Sequence, residues 1–335
     1  MNTYFKNVPE ENVLFFDIET IREYDVLPPK QLEVYKYKIR NKDTDEIPSD
    51  EEAQEDYKKR GGLKIGWNKI VAIGVGYIHK GEVRIQSLKG DSEEQILKDF
   101  FKITHSSKFD YICGFNILPF DLPMCNFRAL VNKIDVSELM NPNFNVSGKK
   151  PWELKAVIDL MDVLRGTHYA NVSLEETCMF LNIPTSKNDI KGSQVSEAWY
   201  NNEADRIYNY VKQDVLATIN VFRRARFQDI FLEFRDIDEE VKLRIKEERE
   251  RCIIDVLQNI AKQNFFSKEA QNTLIEHFKN RPKKLTNKEL QVLEESLLAS
   301  YIQNDFGNSD NQDVVLGKTA EIKNFIKQLE NVKKK

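Results

Sequence analysis

The chain has 335 residues, 41% of them hydrophobic, with 50 basic against 54 acidic residues and a net charge of -4. That content can supply the core of one large domain or two ordinary ones, and no stretch approaches the roughly 20 consecutive apolar residues of a membrane span. The balance is not the basic footprint of a general nucleic-acid binder, although an enzyme that grips a few nucleotides through metal ions needs only a local basic rim.

The amino terminus, MNTYFKNVPEENV, lacks a basic segment followed by an apolar one, so no secretory signal is read and a cytoplasmic location is expected. Residues 12 to 21, NVLFFDIETI, then read as a buried β-strand that ends on two acids, Asp17 and Glu19. Side chains two apart in a strand share a face. Two adjacent carboxylates resist ionising together, so the pair points to a metal site or a shared proton. The same D-x-E spacing occurs at Asp50 and Glu52, at Asp91 and Glu93, and at Asp238 and Glu240, all in polar stretches. What separates Asp17 and Glu19 is the apolar run that carries them, because burying unpartnered charge is costly.

Residues 28 to 66 form a long polar segment, read as a solvated loop or surface helix. KIVAIGVGYIHKGEVRIQSL reads as two strands around a tight turn at Lys80 and Gly81. GDSEEQILKDFFKI is a helix capped at Asp91 or Ser92, with Ile96, Leu97, Phe100 and Phe101 as its apolar stripe. FDYICGFN is a further buried strand, and DLPMCNFRALVNKI a helix with Pro123 in its first turn. AVIDLMDVLRG is a strand candidate or a short apolar segment, in which Asp159 and Asp162 read as surface or capping residues. SLEETCMFLNI is a short amphipathic helix. EADRIYNYVKQDVLATINVFRRARF is a long helix striped by Ile207, Val211, Val215, Ile219 and Phe222.

Beyond residue 228 no strand is read, and four helices are expected. The four cysteines, Cys113, Cys125, Cys178 and Cys252, are scattered without a C-x-x-C pair and fit core thiols in a reducing compartment. Interleaved strands and helices up to residue 228 imply an α/β layered domain at 1–228, followed by an α-helical region at 229–335.

Two further patches carry chemistry. GFNILPFDLP, residues 114 to 123, ends a strand and delivers Asn116 and then Asp121, although an Asp just before Leu-Pro is also an ordinary helix N-cap. In YVKQD, Tyr210 and Asp214 are four apart and share a helix face. That spacing recurs at Tyr301 and Asp305, where nothing suggests function.

FDIET, GFNILPFDLP and YVKQD, in that order, resemble the three exonuclease motifs of the DEDD superfamily of 3'-5' exonucleases in its tyrosine version (DEDDy). They look most like the proofreading domains of family-B DNA polymerases. DLMDVL, SLEETCMFLNIP and DIKGSQVSEAWY further resemble the stand-alone bacterial polymerase-B-like exonucleases, and the resemblance spans roughly residues 10 to 226. In the sister subclass a histidine stands five residues before the last aspartate; here Asn209 occupies that position.

The resemblance implies an RNase H-like mixed β-sheet flanked by helices and a two-metal-ion hydrolysis of single-stranded DNA from the 3' end, releasing nucleoside 5'-monophosphates. It implies two divalent cations, Mg²⁺ or Mn²⁺, held by Asp17, Glu19, Asp121 and Asp214. Asp17 would bridge both ions, Glu19 and Asp214 complete the first, and Asp121 support the second through water. Tyr210 would orient the attacking water. Thr20 and Asn116 are the expected contacts to substrate. DNA is favoured over RNA, and the expected setting is a polymerase or repair complex rather than a membrane. A 3'-5' exoribonuclease and a catalytically silent scaffold of the same fold are the alternatives.

Overall fold

Strand β1, Val13–Arg22, is the centre of the computed structural model, and every residue in it is buried except Asp17. The structure describes residues 3–150, 153–165, 172–185, 190, 192–245, 290, 294 and 320–327. The chain divides into two compact units, Met1–Asp238 and Glu239–Lys335. In the second unit the described residues, 239–245, 290, 294 and 320–327, are all helical; the rest of the expected C-terminal helices and Cys252 lie outside the described residues.

The first unit is built on a six-stranded mixed sheet. Its strands are β1, β2 (Asn68–His79), β3 (Glu82–Leu88), β4 (Tyr111–Gly114), β5 (Val157–Asp159) and β6 (Arg235–Asp236). They lie in the order β5-β4-β1-β2-β3-β6. The β1–β2 and β2–β3 pairs are antiparallel, whereas β1–β4, β4–β5 and β3–β6 are parallel. This is the expected α/β, RNase H-like arrangement. The β2–β3 turn has Lys80 at φ 51 and Gly81 at φ 76, the left-handed pair whose twist suits a two-residue hairpin.

Two features differ from the sequence expectations. β1 does not end on its acids but runs on through Thr20, Ile21 and Arg22. A strand also lies beyond residue 228: β6 spans two residues, too few for any periodicity to register.

Among the described residues before β6 the α-helices are α1 (Thr3–Lys6), α2 (Pro29–Ile39), α3 (Asp50–Arg60), α4 (Glu93–Thr104), α5 (Leu122–Val131), α6 (Val136–Leu139), α7 (Leu160–Arg165), α8 (Leu174–Phe180), α9 (Val195–Tyr200) and α10 (Ala204–Arg224). Ser92 caps α4 by accepting from the Gln95 N–H, and Ser173 with Glu176 forms a capping box on α8. None of the helices among the described residues is long and apolar enough to cross a membrane.

The strand period of two divides the core. Leu14, Phe16 and Ile18 pack on one face against Ile96, Phe100, Leu122 and Cys125 of α4 and α5. Val13 and Phe15 pack on the other against Val215, Ile219 and Phe222 of α10, and Ile21 joins Ile207 and Val211 there. Each such aromatic or aliphatic side chain contributes roughly 1.5–3 kcal/mol on burial. All five residues of the α10 stripe are fully buried. Asp17 and Glu19 share the odd-numbered face, so the alternation that builds the core also aims both acids at α10.

Across the ladder from β1, the residues of β2 under α10 are small: Gly76 opposes Phe15, Gly74 opposes Asp17, and Ala72 opposes Glu19. The register then slips between Glu19 and Thr20, leaving Val71 as an extra residue of β2. Val71 and its neighbour Ala72 both pack in the cluster around Tyr210 and Val211, which a regular strand would not allow.

The polar segment after β1 is more ordered than its charge suggests. Ser49 and Glu52 form a capping box at the start of α3, so the Asp50 and Glu52 pair is ordinary helix-start chemistry. Tyr35 and Tyr57, with Leu27, Leu32 and Ala53, make a small core in which the Trp67 ring lies 4.8 Å edge-on from Tyr35. Asp56 accepts from both the Tyr35 hydroxyl and Lys64 Nζ at 2.7 Å.

Candidate active site

Strand and helix bring the first and third acidic patches together. A carboxylate oxygen from each of Asp17, Glu19 and Asp214 lies within 4.8 Å of the others. Burial pushes Asp17 well above the usual carboxylate range, and the charges of Asp121, Asp214 and Glu19 push it further. Glu19 is raised by burial and then by Asp214 and Asp121. Three acids held this close and partly withdrawn from water repel one another, and a cation among them relieves both costs. The donors are all carboxylate oxygens, which suits a hard ion such as Mg²⁺ or Mn²⁺.

Tyr210, 7% exposed, stands one helical turn before Asp214, and its hydroxyl hydrogen-bonds the Asp214 side chain. Burial first, and then the neighbouring negative charges, raise its pKa far above neutrality. The phenol therefore stays protonated and is a donor. Asn209, in the position where the sister subclass has histidine, is exposed.

Asp121 reaches the site by another route. A single π-helical turn, Ile117–Asp121, precedes α5, closed by the Leu122 N–H on the Ile117 carbonyl. Asp121 occupies the N-cap position of α5 but makes no side-chain capping bond. Its Oδ1 instead accepts from the Ile18 N–H at 3.3 Å, which ties it to β1. Burial raises its pKa to about 8 against the pull of that bond, with the Asp159 charge adding to the rise. It lies close enough to act on Asp17 and Glu19 electrostatically, yet outside the group of three converging oxygens.

The two expected substrate contacts are placed differently. Asn116 is half-buried and left-handed, with φ 65 and ψ 28. The Thr20 hydroxyl donates to the Gly62 carbonyl at 2.6 Å, so it serves the β1 packing. Asp162 is exposed as expected, and Asp159 caps α7 by accepting from the Met161 N–H, but it is not a surface residue: it is 3% exposed and accepts two further backbone N–H bonds. Lys149 and Lys150 are exposed.

Asp17, Tyr210 and Asp214 open onto a cleft of about 150 Å³. Its remaining lining comes from Phe115, from Leu174, Glu175 and Cys178 of α8, and from Thr185 and Ala217. These were not foreseen as site residues. The signal available was the spacing of Leu174 and Cys178, four apart on one face of a helix read only as amphipathic. Cys113, Cys125 and Cys178 are buried.

A family model described as "Predicted 3'-5' exonuclease related to the exonuclease domain of PolB" matches residues 62–265, more than half of the chain. The match contains Asp121, Tyr210 and Asp214 and begins after Asp17 and Glu19. A DNA polymerase of Archaeoglobus fulgidus is 29% identical over 135 residues, covering 39% of this chain and 17% of the polymerase. The solved structure of the family B DNA polymerase from the archaeon Pyrobaculum calidifontis aligns with TM-score 0.43 and 16% identity, over 88% of this chain and 29% of that one. The chain thus spans less than a third of the length of either polymerase.

Proposed function

The chain belongs to the family of 3'-5' exonucleases related to the exonuclease domain of PolB, and from that premise we propose that it is a metal-dependent 3'-5' exonuclease. Its substrate in this reading is the 3' end of single-stranded DNA, and its products are nucleoside 5'-monophosphates. The observation that carries the reading is the convergence of Asp17, Glu19 and Asp214 oxygens within 4.8 Å beside Tyr210.

Asp17, Glu19 and Asp214 would hold divalent cations, with Asp121 supporting the second. Two such ions, when bound, activate water and neutralise charge on the transition state and the leaving 3'-oxygen. The protonated Tyr210 hydroxyl, fixed by Asp214, would orient the attacking water, the role that assigns the chain to the tyrosine subclass. Asn116 and the backbone of Thr20 are the proposed contacts to the terminal nucleotide. The nuclease activity is assigned to the first unit, expected to end at 228 and carried on to Asp238 by β6, and a separate role to the helical region that follows. DNA is favoured over RNA because the similar Archaeoglobus fulgidus protein is a DNA polymerase, and a polymerase or repair complex is the proposed setting.

The deciding experiment is Mg²⁺-dependent trimming of matched 5'-labelled DNA and RNA strands by the full chain and by Asp17→Ala and Asp214→Ala. Loss of trimming in both variants is expected, with DNA shortened faster than RNA. Variants as active as the parent would overturn the site assignment, and faster RNA shortening would make the chain an exoribonuclease. An inactive parent would leave the scaffold reading.

A further inference from the structure

Asp159 stands at the end of β5, beside Gly114 of β4. Its Oδ1 accepts from the Asn116 N–H at 2.8 Å and the Met161 N–H at 3.0 Å, and its Oδ2 accepts from the Leu118 N–H at 3.0 Å. A carboxylate this deeply buried loses its hydration, and three amide donors replace it with charge-assisted bonds of fixed geometry. Two of those donors belong to the turn that leads to Asp121. Asn116 is left-handed, and Leu118 lies inside the π-helical turn.

The segment from Phe115 to Asp121 is therefore held at both ends. Asp159 grips its start, and the bond from the Ile18 N–H to Asp121 Oδ1 fixes its finish. The same segment supplies Phe115 to the cleft. We propose that Asp159 is a positioning residue of the nuclease site: it locks the turn that sets Asp121 opposite Asp17, and so governs the binding of the second divalent cation. The proposal rests on the reading of this site as a two-cation exonuclease centre.

The test is Asp159→Asn in the full chain. The amide is the same size but has one acceptor oxygen, which can keep the two Oδ1 bonds only by turning an N–H against the N–H of Leu118. Expected is a fall in kcat of roughly 10–100-fold, the usual effect of losing a residue that orients a metal ligand, with KM for the oligonucleotide within about twofold of the parent. A Mn²⁺ binding isotherm, read without substrate, should show the weaker of two equivalents lost or weakened by a similar factor. Added to Asp121→Asn, the change should weaken Mn²⁺ binding no further, because both act through one group.

An unchanged isotherm and kcat in Asp159→Asn would overturn the proposal, as would losses that simply add in the double variant. Circular dichroism and melting identify a variant that has lost its fold; Asp159→Ser, which keeps one small acceptor, then takes its place in the same isotherm. A parent chain that neither binds Mn²⁺ nor trims DNA would overturn the exonuclease reading beneath, a result distinct from an active parent matched by Asp159→Asn.

Discussion

Gly74 is the ladder partner of Asp17, and a β-carbon there would fall 2.8 Å from Val215 Cγ2 and 2.9 Å from both Val211 Cγ2 and the Val211 carbonyl oxygen. Helix α10 therefore rests on bare backbone at the level of the acids. This close approach brings Asp214 within reach of Asp17. Gly74→Ala would push the helix away, at a cost of roughly 1–3 kcal/mol in stability, as overpacking usually does. Trimming measured well below the melting temperature should fall as well, because Asp214 moves with its helix. Urea unfolding and a rate assay on the same preparation check both parts, and an Ala variant with unchanged rate would show that the site tolerates a looser helix.

Without metal, Asp17, Glu19 and Asp121 are all raised above the ordinary carboxylate range, Asp121 to about 8. At these three acids the folded chain binds more protons than the unfolded chain from about pH 4 to about pH 8, so their contribution to stability in chelator falls as pH rises through that window. Cations bind the ionised acids and oppose the trend. Melting in EDTA should be lower near pH 8 than near pH 5.5, and Mg²⁺ or Mn²⁺ should raise it more at the higher pH. Calorimetry near pH 7 in buffers of different ionisation enthalpy should show protons released on metal binding. A flat profile with no proton release would contradict the repulsion described for these acids.

Tyr210→Phe removes the hydroxyl bonded to Asp214 and leaves the ring in its apolar cluster. The fold should persist while kcat drops roughly 10–100-fold, as for other groups that orient a reacting centre. Because burial and neighbouring charge hold the Tyr210 phenol protonated, the pH–rate profile should keep its shape in the variant. A limb of the profile that vanishes with the hydroxyl would instead identify Tyr210 as the base.

Thr20→Val tests the placement of the Thr20 hydroxyl on the Gly62 carbonyl. Losing that bond should cost about 0.5–1.5 kcal/mol of stability, with little change in KM for a single-stranded oligonucleotide. The reverse pattern, unchanged stability with a raised KM, would return the hydroxyl to the substrate.

What could be read in the sequence was what local periodicity determines. Period two placed Asp17 and Glu19 on one face of β1, and period 3.6 placed Tyr210 and Asp214 together beside the stripe from Ile207 to Phe222. The order of the three motifs then suggested their convergence. What escaped depends on packing across long separations. Asp159 read as a surface or capping residue, and it does cap α7 through the Met161 N–H; its burial escaped because its other partners, Asn116 and Leu118, are more than 40 positions away in the chain. Gly74 and Gly76 passed as ordinary strand residues because α10, the helix that needs their bareness, begins at Ala204. The charged segment around α3 hid Tyr35, Tyr57 and Trp67, since a core of three rings hardly alters the polarity of its surroundings.

The slip in register beside Glu19 bears on any attempt to transplant this centre into another scaffold. Copying Asp17, Glu19, Asp121, Tyr210 and Asp214 onto a regular two-stranded ladder would leave out the inserted Val71, which lets two consecutive residues of β2 face the same helix. A designer would have to carry over that insertion and the bare glycines along with the acids. In such a graft the backbone of β2, which contributes no functional side chain, would be the component least open to substitution.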